Sequence, residues 1–184
     1  MAGKRLDGQQ ILMVIAPQQF RDEELTEPRD LFEGEGARVT VASTKVGTAR
    51  GMLGAAVQAD MTIDEVPSED YQAVVIVGGM GSPDHLWDNQ ALHKLIEALY
   101  SHKKVVAAIC LSGAVLARAG VLAGKKATVW PDEAAIKALT DGGAHYLKDH
   151  LVQDGTIITA DGPEAAADFG SRIVEELAKV SFKV

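Results

Sequence analysis

A single cysteine, Cys110, stands in the run Ala108-Ile109-Cys110-Leu111-Ser112-Gly113. The apolar segment before it, residues 105–109 (VVAAI), reads as a buried strand, and residues 112–119 read as a helix ending at Gly120. Small residues two before and two after the cysteine are what a sharp nucleophile elbow needs, because bulkier side chains would clash across so tight a turn. At such a turn the first N–H groups of the following helix face the sulfur and favour its anion. A thiol below the ordinary cysteine pKa is therefore expected, with the N–H groups of Leu111 and of Gly79 or Met80 as a candidate oxyanion hole. The plainer alternative is a small buried hydrophobe, a common fate of free cysteine.

The elements that would hold this turn alternate along the chain. Residues 11–16 (ILMVIA) form a continuous apolar run of the kind covered on both faces in a parallel sheet. A helix is expected over 23–35, with Asp22 as its cap and Pro28 in its first turns, then an alternating strand over 38–43. The Gly-rich stretch 48–65 suggests a hairpin or irregular excursion. A strand at 73–77 (AVVIV) ends in Gly78-Gly79-Met80-Gly81, and a helix with Leu92, Leu95, Ile96 and Leu99 on one face covers 89–103. Further strands at 127–130 and 156–160 and helices at 131–139 and 163–180 continue the alternation. This order predicts a doubly wound α/β fold with a mostly parallel sheet, helices on both faces, and ligands at the carboxyl ends of its strands.

Size and charge narrow the classes. The 184 residues are 47% hydrophobic, which suits one domain with one core, residues 1–184 with a centre over about 11–180. A net charge of −8 repels phosphate backbones and anionic lipid, so neither nucleic acid nor a membrane is expected as a partner. One cysteine cannot form an internal disulfide, and residues 1–10 lack the pattern of a signal peptide, so a cytoplasmic location is expected. The glycines at 78–81 match neither G-x-G-x-x-G nor a P-loop, and no histidine spacing suits a metal. His85 is a candidate at the edge of the site, His93 and His102 read as solvated helix positions, and His145 and His150 as loop residues. Trp87 and Trp130 are candidate pocket-lining or partly buried residues, Trp130 at the edge of the site.

The segments Glu24-Leu25-Thr26-Glu27-Pro28, AVVIVGG (73–79), AAIC (107–110), AGVLAGKKAT (119–128), GGAHY (142–146) and Gly162-Pro163 together resemble the DJ-1/PfpI family over nearly the whole chain. The resemblance implies a flavodoxin-like fold of the class I glutamine amidotransferase type, usually dimeric. It also singles out Glu24, among the acids Asp22, Glu23, Glu24 and Glu27, as the buried glutamate that hydrogen-bonds the cysteine. A carboxylic acid so placed has its pKa raised by burial and by the like charge, and can donate to sulfur. The chain departs from the family where Leu111 replaces the histidine of the protease-like branch and Trp130 a histidine common in members with glyoxalase activity. The acid of the protease-like triad would fall near Asp84, with no adjacent histidine to orient. The resemblance implies a cofactor-free protein that acts on small reactive carbonyl compounds. Its alternatives are a redox-responsive protein whose Cys110 meets an oxidant and stops at sulfinate, and a peptidase or amidase.

Overall fold

The fold is built on a strand that water never reaches. In the computed structural model, which describes residues 3–181, Ile11 to Val14 of β1 (Gln10–Val14) are fully buried. Such a strand needs partners on both edges and helices on both faces. The chain then runs through a short β2 (Gln18–Phe20) into α1 (Asp22–Gly34) and β3 (Arg38–Ser43), which pairs parallel with β1 in the register Leu12 to Thr40. The Gly-rich stretch is a hairpin, β4 (Gly47–Gly51) and β5 (Ala56–Ala59), followed by the edge strand β6 (Met61–Thr62).

β7 (Ala73–Ile76) lies on the other side of β1. After it come the single turn α2 (Ser82–His85), α3 (Gln90–Ser101), β8 (Val105–Ile109) and α4 (Gly113–Arg118). The remaining elements are β9 (Lys126–Ala127), α5 (Glu133–Asp141), β10 (His145–Tyr146), β11 (Leu151–Asp154), β12 (Ile157–Ala160) and α6 (Ala166–Ser181). The central sheet has the order β11-β12-β8-β7-β1-β3-β6 and is parallel except for β11. Its five main parallel strands, taken in chain order, follow the 2-1-3-4-5 arrangement of flavodoxin-like sheets, with the switch point between β1 and β7. Helices α1 and α6 pack together on one side, and α3 and α4 pack beneath β7 and β8 on the other. No helix among the described residues is long and apolar enough to cross a membrane.

Several expectations from sequence need correction. Residues 128–130 do not continue the strand at β9, because their N–H groups are drawn elsewhere: Thr128 to the Thr159 hydroxyl at 2.9 Å and Trp130 to the Cys110 carbonyl at 3.2 Å. Helix α5 starts two residues later than expected, since Asp132 caps it through the Ala135 N–H. Asp22 is the first residue of α1 rather than its cap, and its carboxylate accepts from Leu53 N–H at the hairpin tip. Pro28 lies well inside that helix. His93, expected in solvent, is buried with Nε2 at 2.7 Å from the Trp87 carbonyl. β11, unannounced in the sequence, is the antiparallel edge strand after the loop.

Candidate active site

Three chain turns meet at the carboxyl ends of β1, β7 and β8. β8 delivers Cys110, whose φ of 60° puts a non-glycine residue in the left-handed region. That conformation costs free energy and persists only where the surroundings hold it. They hold it at successive residues. The Cys110 carbonyl accepts from Trp130 N–H, and the Leu111 carbonyl from Trp87 Nε1–H at 2.9 Å. The Ser112 hydroxyl donates to the Val77 carbonyl at 2.7 Å. Its one proton being spent there, the buried Ser82 hydroxyl, 2.7 Å away, is the donor in the Ser82–Ser112 pair. The turn begins as a tight helical turn, Cys110–Ser112, before α4 proper.

β7 contributes two glycines that nothing larger could replace. A Cβ on Gly78 would lie 2.6 Å from both the Cys110 Cβ and Glu24 Oε1. One on Gly79, itself at φ 108°, would lie 2.4 Å from the Arg21 nitrogen. The backbone there must pass between the cysteine, the glutamate and the start of α1. Gly78 also binds both flanks, accepting from Arg21 N–H at 3.0 Å and donating to Glu24 Oε1 at 3.1 Å.

Glu24, in the first turn of α1, is completely buried. Its Oε2 has no nitrogen or oxygen partner, and the group its carboxyl meets is the Cys110 sulfur. Burial pushes the carboxyl up to about 8, against the opposing pull of the sulfur, the Gly78 N–H and the Arg21 guanidinium. At neutral pH it therefore carries its proton.

The sulfur itself overturns the expectation of an easily ionised thiol. Burial pushes Cys110 up to about 12, with the Glu24 charge as the second cause. The N–H groups of Leu111 and Gly79 pull the other way but do not prevail. Desolvation of an anion 7% exposed outweighs the two backbone donors. The two groups act on one another and titrate as a coupled pair, with burial pushing both upward. The singly charged pair is the form in which a thiolate can accept from both N–H groups and from the protonated Glu24.

A cavity of about 120 Å³ opens over the sulfur. Gly79, Leu111 and Trp130, expected at the site from sequence, line it, as do Arg21, Met52 and Pro163, which were not expected. Met80 also lines it, but its N–H donates to Met52 Sδ at 3.5 Å rather than to the sulfur. The backbone N–H groups that act on the sulfur are thus those of Leu111 and Gly79. His85, half-buried in α2, does not line the cavity, and Asp84 beside it is exposed. His150 is exposed and bonded to Asp161 at 2.8 Å. Met52 sits on the hairpin, where no periodicity could announce it. Pro163 follows Gly162, whose backbone lies against the Trp130 ring. Among the described residues no group of three or more His, Cys, Asp or Glu side chains is placed to hold a metal ion.

A doubly wound α/β sheet with an acid–cysteine pair buried at the carboxyl ends of its central strands is the class that fold and site define. Within it, the chain belongs to the DJ-1/PfpI family, whose model matches residues 9–176. An uncharacterised protein of Methanocaldococcus jannaschii is 50% identical over 169 residues, covering 92% of this chain and 82% of that protein. A protein named as a deglycase in Pyrococcus horikoshii is 31% identical over 153 residues, covering 83% and 90%. The crystal structure of a ThiJ/PfpI domain protein from Brachyspira murdochii superposes with a TM-score of 0.88 at 32% identity, covering 97% of this chain and 99% of that one.

Proposed function

We propose that the protein is a cofactor-independent enzyme acting on small reactive carbonyl compounds of the α-oxoaldehyde type, through Cys110 and Glu24. The observation that carries this reading is the protonated carboxyl of Glu24 held against a sulfur that faces a small cavity. Relatives named as deglycases lend it support.

The pair reacts in its singly charged form, the thiol proton having passed to solvent: the Cys110 thiolate adds to the aldehyde carbon, forming the C–S bond, while the carbonyl oxygen takes the proton of Glu24 to give a hemithioacetal. Glu24, now a carboxylate, removes the hydrogen on that carbon as a proton, and the electron pair moves toward the neighbouring carbonyl. Returning the proton to the neighbouring carbon, while the hydroxyl proton on the first carbon passes to the oxygen on the second, leaves a thioester of a 2-hydroxy acid. Water then releases the acid and restores the thiol. The first carbon is oxidised and the second reduced, so no external oxidant or cofactor enters. The N–H groups of Gly79 and Leu111 are the donors available to the charge that passes between sulfur and oxygen. Leu111, in place of a histidine, removes the adjacent base that amide hydrolysis would use, which ranks a peptidase activity lowest.

The test is consumption of methylglyoxal with formation of lactate by the wild type, Cys110→Ala and Glu24→Gln. Loss of turnover in both variants is expected. Undiminished turnover in Cys110→Ala, or none in the folded wild type, overturns the reading.

The two N–H groups aimed at the sulfur favour one second reading, in which Cys110 is oxidised by peroxide and stops at the sulfinate, whose oxygens gain those donors. Mass spectrometry after mild peroxide, finding a stable two-oxygen adduct on Cys110 together with absent turnover, would favour it.

A further inference from the structure

The mouth of the Cys110 cavity is chemically lopsided. Apart from backbone, its walls are Met52, Met80, Leu111, Trp130 and Pro163, with Arg21 as the only charged member. Exposed large apolar side chains are costly unless used, and Met80 is 59% exposed, Trp130 44% and Met52 38%. They surround one reactive atom. Their positions are held: Met80 N–H donates to Met52 Sδ, Met52 N–H to the Phe20 carbonyl, and the Trp130 ring lies on Gly162.

The single cation is already occupied. Arg21 forms a two-point pair with Glu23, Nε to Oε2 at 2.7 Å and Nη2 to Oε1 at 3.1 Å. Its charge is therefore neutralised before any ligand arrives, and the buried Glu24 behind the sulfur adds a potential negative charge. An anionic group carried outside the two N–H donors would lie against apolar walls and an already paired cation, and would lose its hydration there. The open cavity of about 120 Å³ equals roughly four waters' share of the liquid at about 30 Å³ each. It admits the reacting group and leaves any larger substituent between Trp130 and the two methionines.

We infer that the site selects uncharged electrophiles carrying an apolar substituent, an alkyl or aryl group next to the reacting carbonyl, and discriminates against anionic ones, with Trp130, Met52 and Met80 as the specificity-determining side chains. As a statement about substrates this rests on the carbonyl-directed function proposed above. As a statement about access to Cys110 it does not, which allows the two to fail separately.

The experiment measures second-order alkylation of Cys110 by iodoacetamide, iodoacetate and N-benzyliodoacetamide, each divided by its rate with glutathione at the same thiolate fraction. The normalised benzyl-to-plain ratio is expected at about tenfold, and iodoacetate at least about tenfold below iodoacetamide. Trp130→Ala and the double variant Met52→Ala/Met80→Ala should each reduce the benzyl preference severalfold. Met52→Leu/Met80→Leu, which keeps the apolar wall, should retain it and so separates loss of contact from loss of fold. A benzyl ratio equal to glutathione's, or one unchanged by both alanine variants, overturns the inference, as does preferential reaction with iodoacetate. A parallel assay compares phenylglyoxal with glyoxal in kcat/KM. The alkylation preference without turnover would sink the enzymatic reading and leave the selectivity standing, whereas turnover of both aldehydes with a ratio unmoved by Trp130→Ala would do the reverse.

Discussion

Glu24→Gln tests the central electrostatic claim through stability, independently of any substrate. The carboxyl is completely buried and its pKa is raised from 4.5 to about 8. Between those values the folded chain holds a proton that the unfolded chain has released, so protonation favours the fold. The contribution is complete below 4.5 and disappears as pH rises through about 8. At about 1.36 kcal/mol per pKa unit the whole span is worth about 5 kcal/mol, most of which falls between about pH 5 and pH 8. Glutamine keeps the shape, can accept from Gly78 N–H, and cannot ionise. Urea unfolding of both proteins at matched concentration across that range is the assay, because self-association would shift each value by mass action. Wild type should lose stability relative to Glu24→Gln by about 2–4 kcal/mol as the pH rises. The lowered pKa values of Glu23, Glu35 and Glu176 act in the opposite sense and in acid, and cancel in the difference. Parallel pH dependences, within about 1 kcal/mol, would refute a buried protonated Glu24.

Three further outcomes follow from the same geometry. Alkylation of Cys110 by iodoacetamide should keep rising past about pH 8 in the wild type and shift to lower pH in Glu24→Gln, where the like charge is gone; a plateau at or below neutrality in the wild type would contradict this. Gly78→Ala should destabilise by about 1–3 kcal/mol or more and suppress Cys110 alkylation, since its Cβ would lie 2.6 Å from both partners of the pair; an unchanged melting temperature would show that the turn can move aside. Ser112→Ala leaves the buried Val77 carbonyl and the Ser82 hydroxyl without their partner and should cost about 1–3 kcal/mol in urea unfolding, while an effect near zero would mean that water replaces the hydroxyl.

Much of the architecture is local information and could be read along the chain. Uninterrupted apolar runs such as AVVI at β7 and VVAAI at β8 are buried on both faces, and no arrangement but a covered parallel sheet accepts them. The turn at Cys110 was legible for the same kind of reason, because small neighbours leave their mark wherever the backbone must bend sharply. Short elements were not. β9 ends at Ala127 because a hydroxyl on β12 and a carbonyl at the elbow compete for the next N–H groups, and both lie far away in sequence.

The identity of the carboxyl partner had to come from likeness to a family, since four acids crowd one turn and only the fold buries Glu24 against the sulfur. The walls of the cavity were equally hidden: Met52 reaches it from a hairpin held by Asp22, and Arg21 arrives already paired with Glu23. Ionisation was the part that sequence reasoning had wrong. Helix-end dipoles are a property of a local turn, and from the turn alone a depressed thiol pKa follows. Desolvation is a property of everything packed around the atom, and in this protein it is the larger effect. The chain's sequence therefore determined where the sulfur stands, and tertiary packing alone decided which atoms hold the proton.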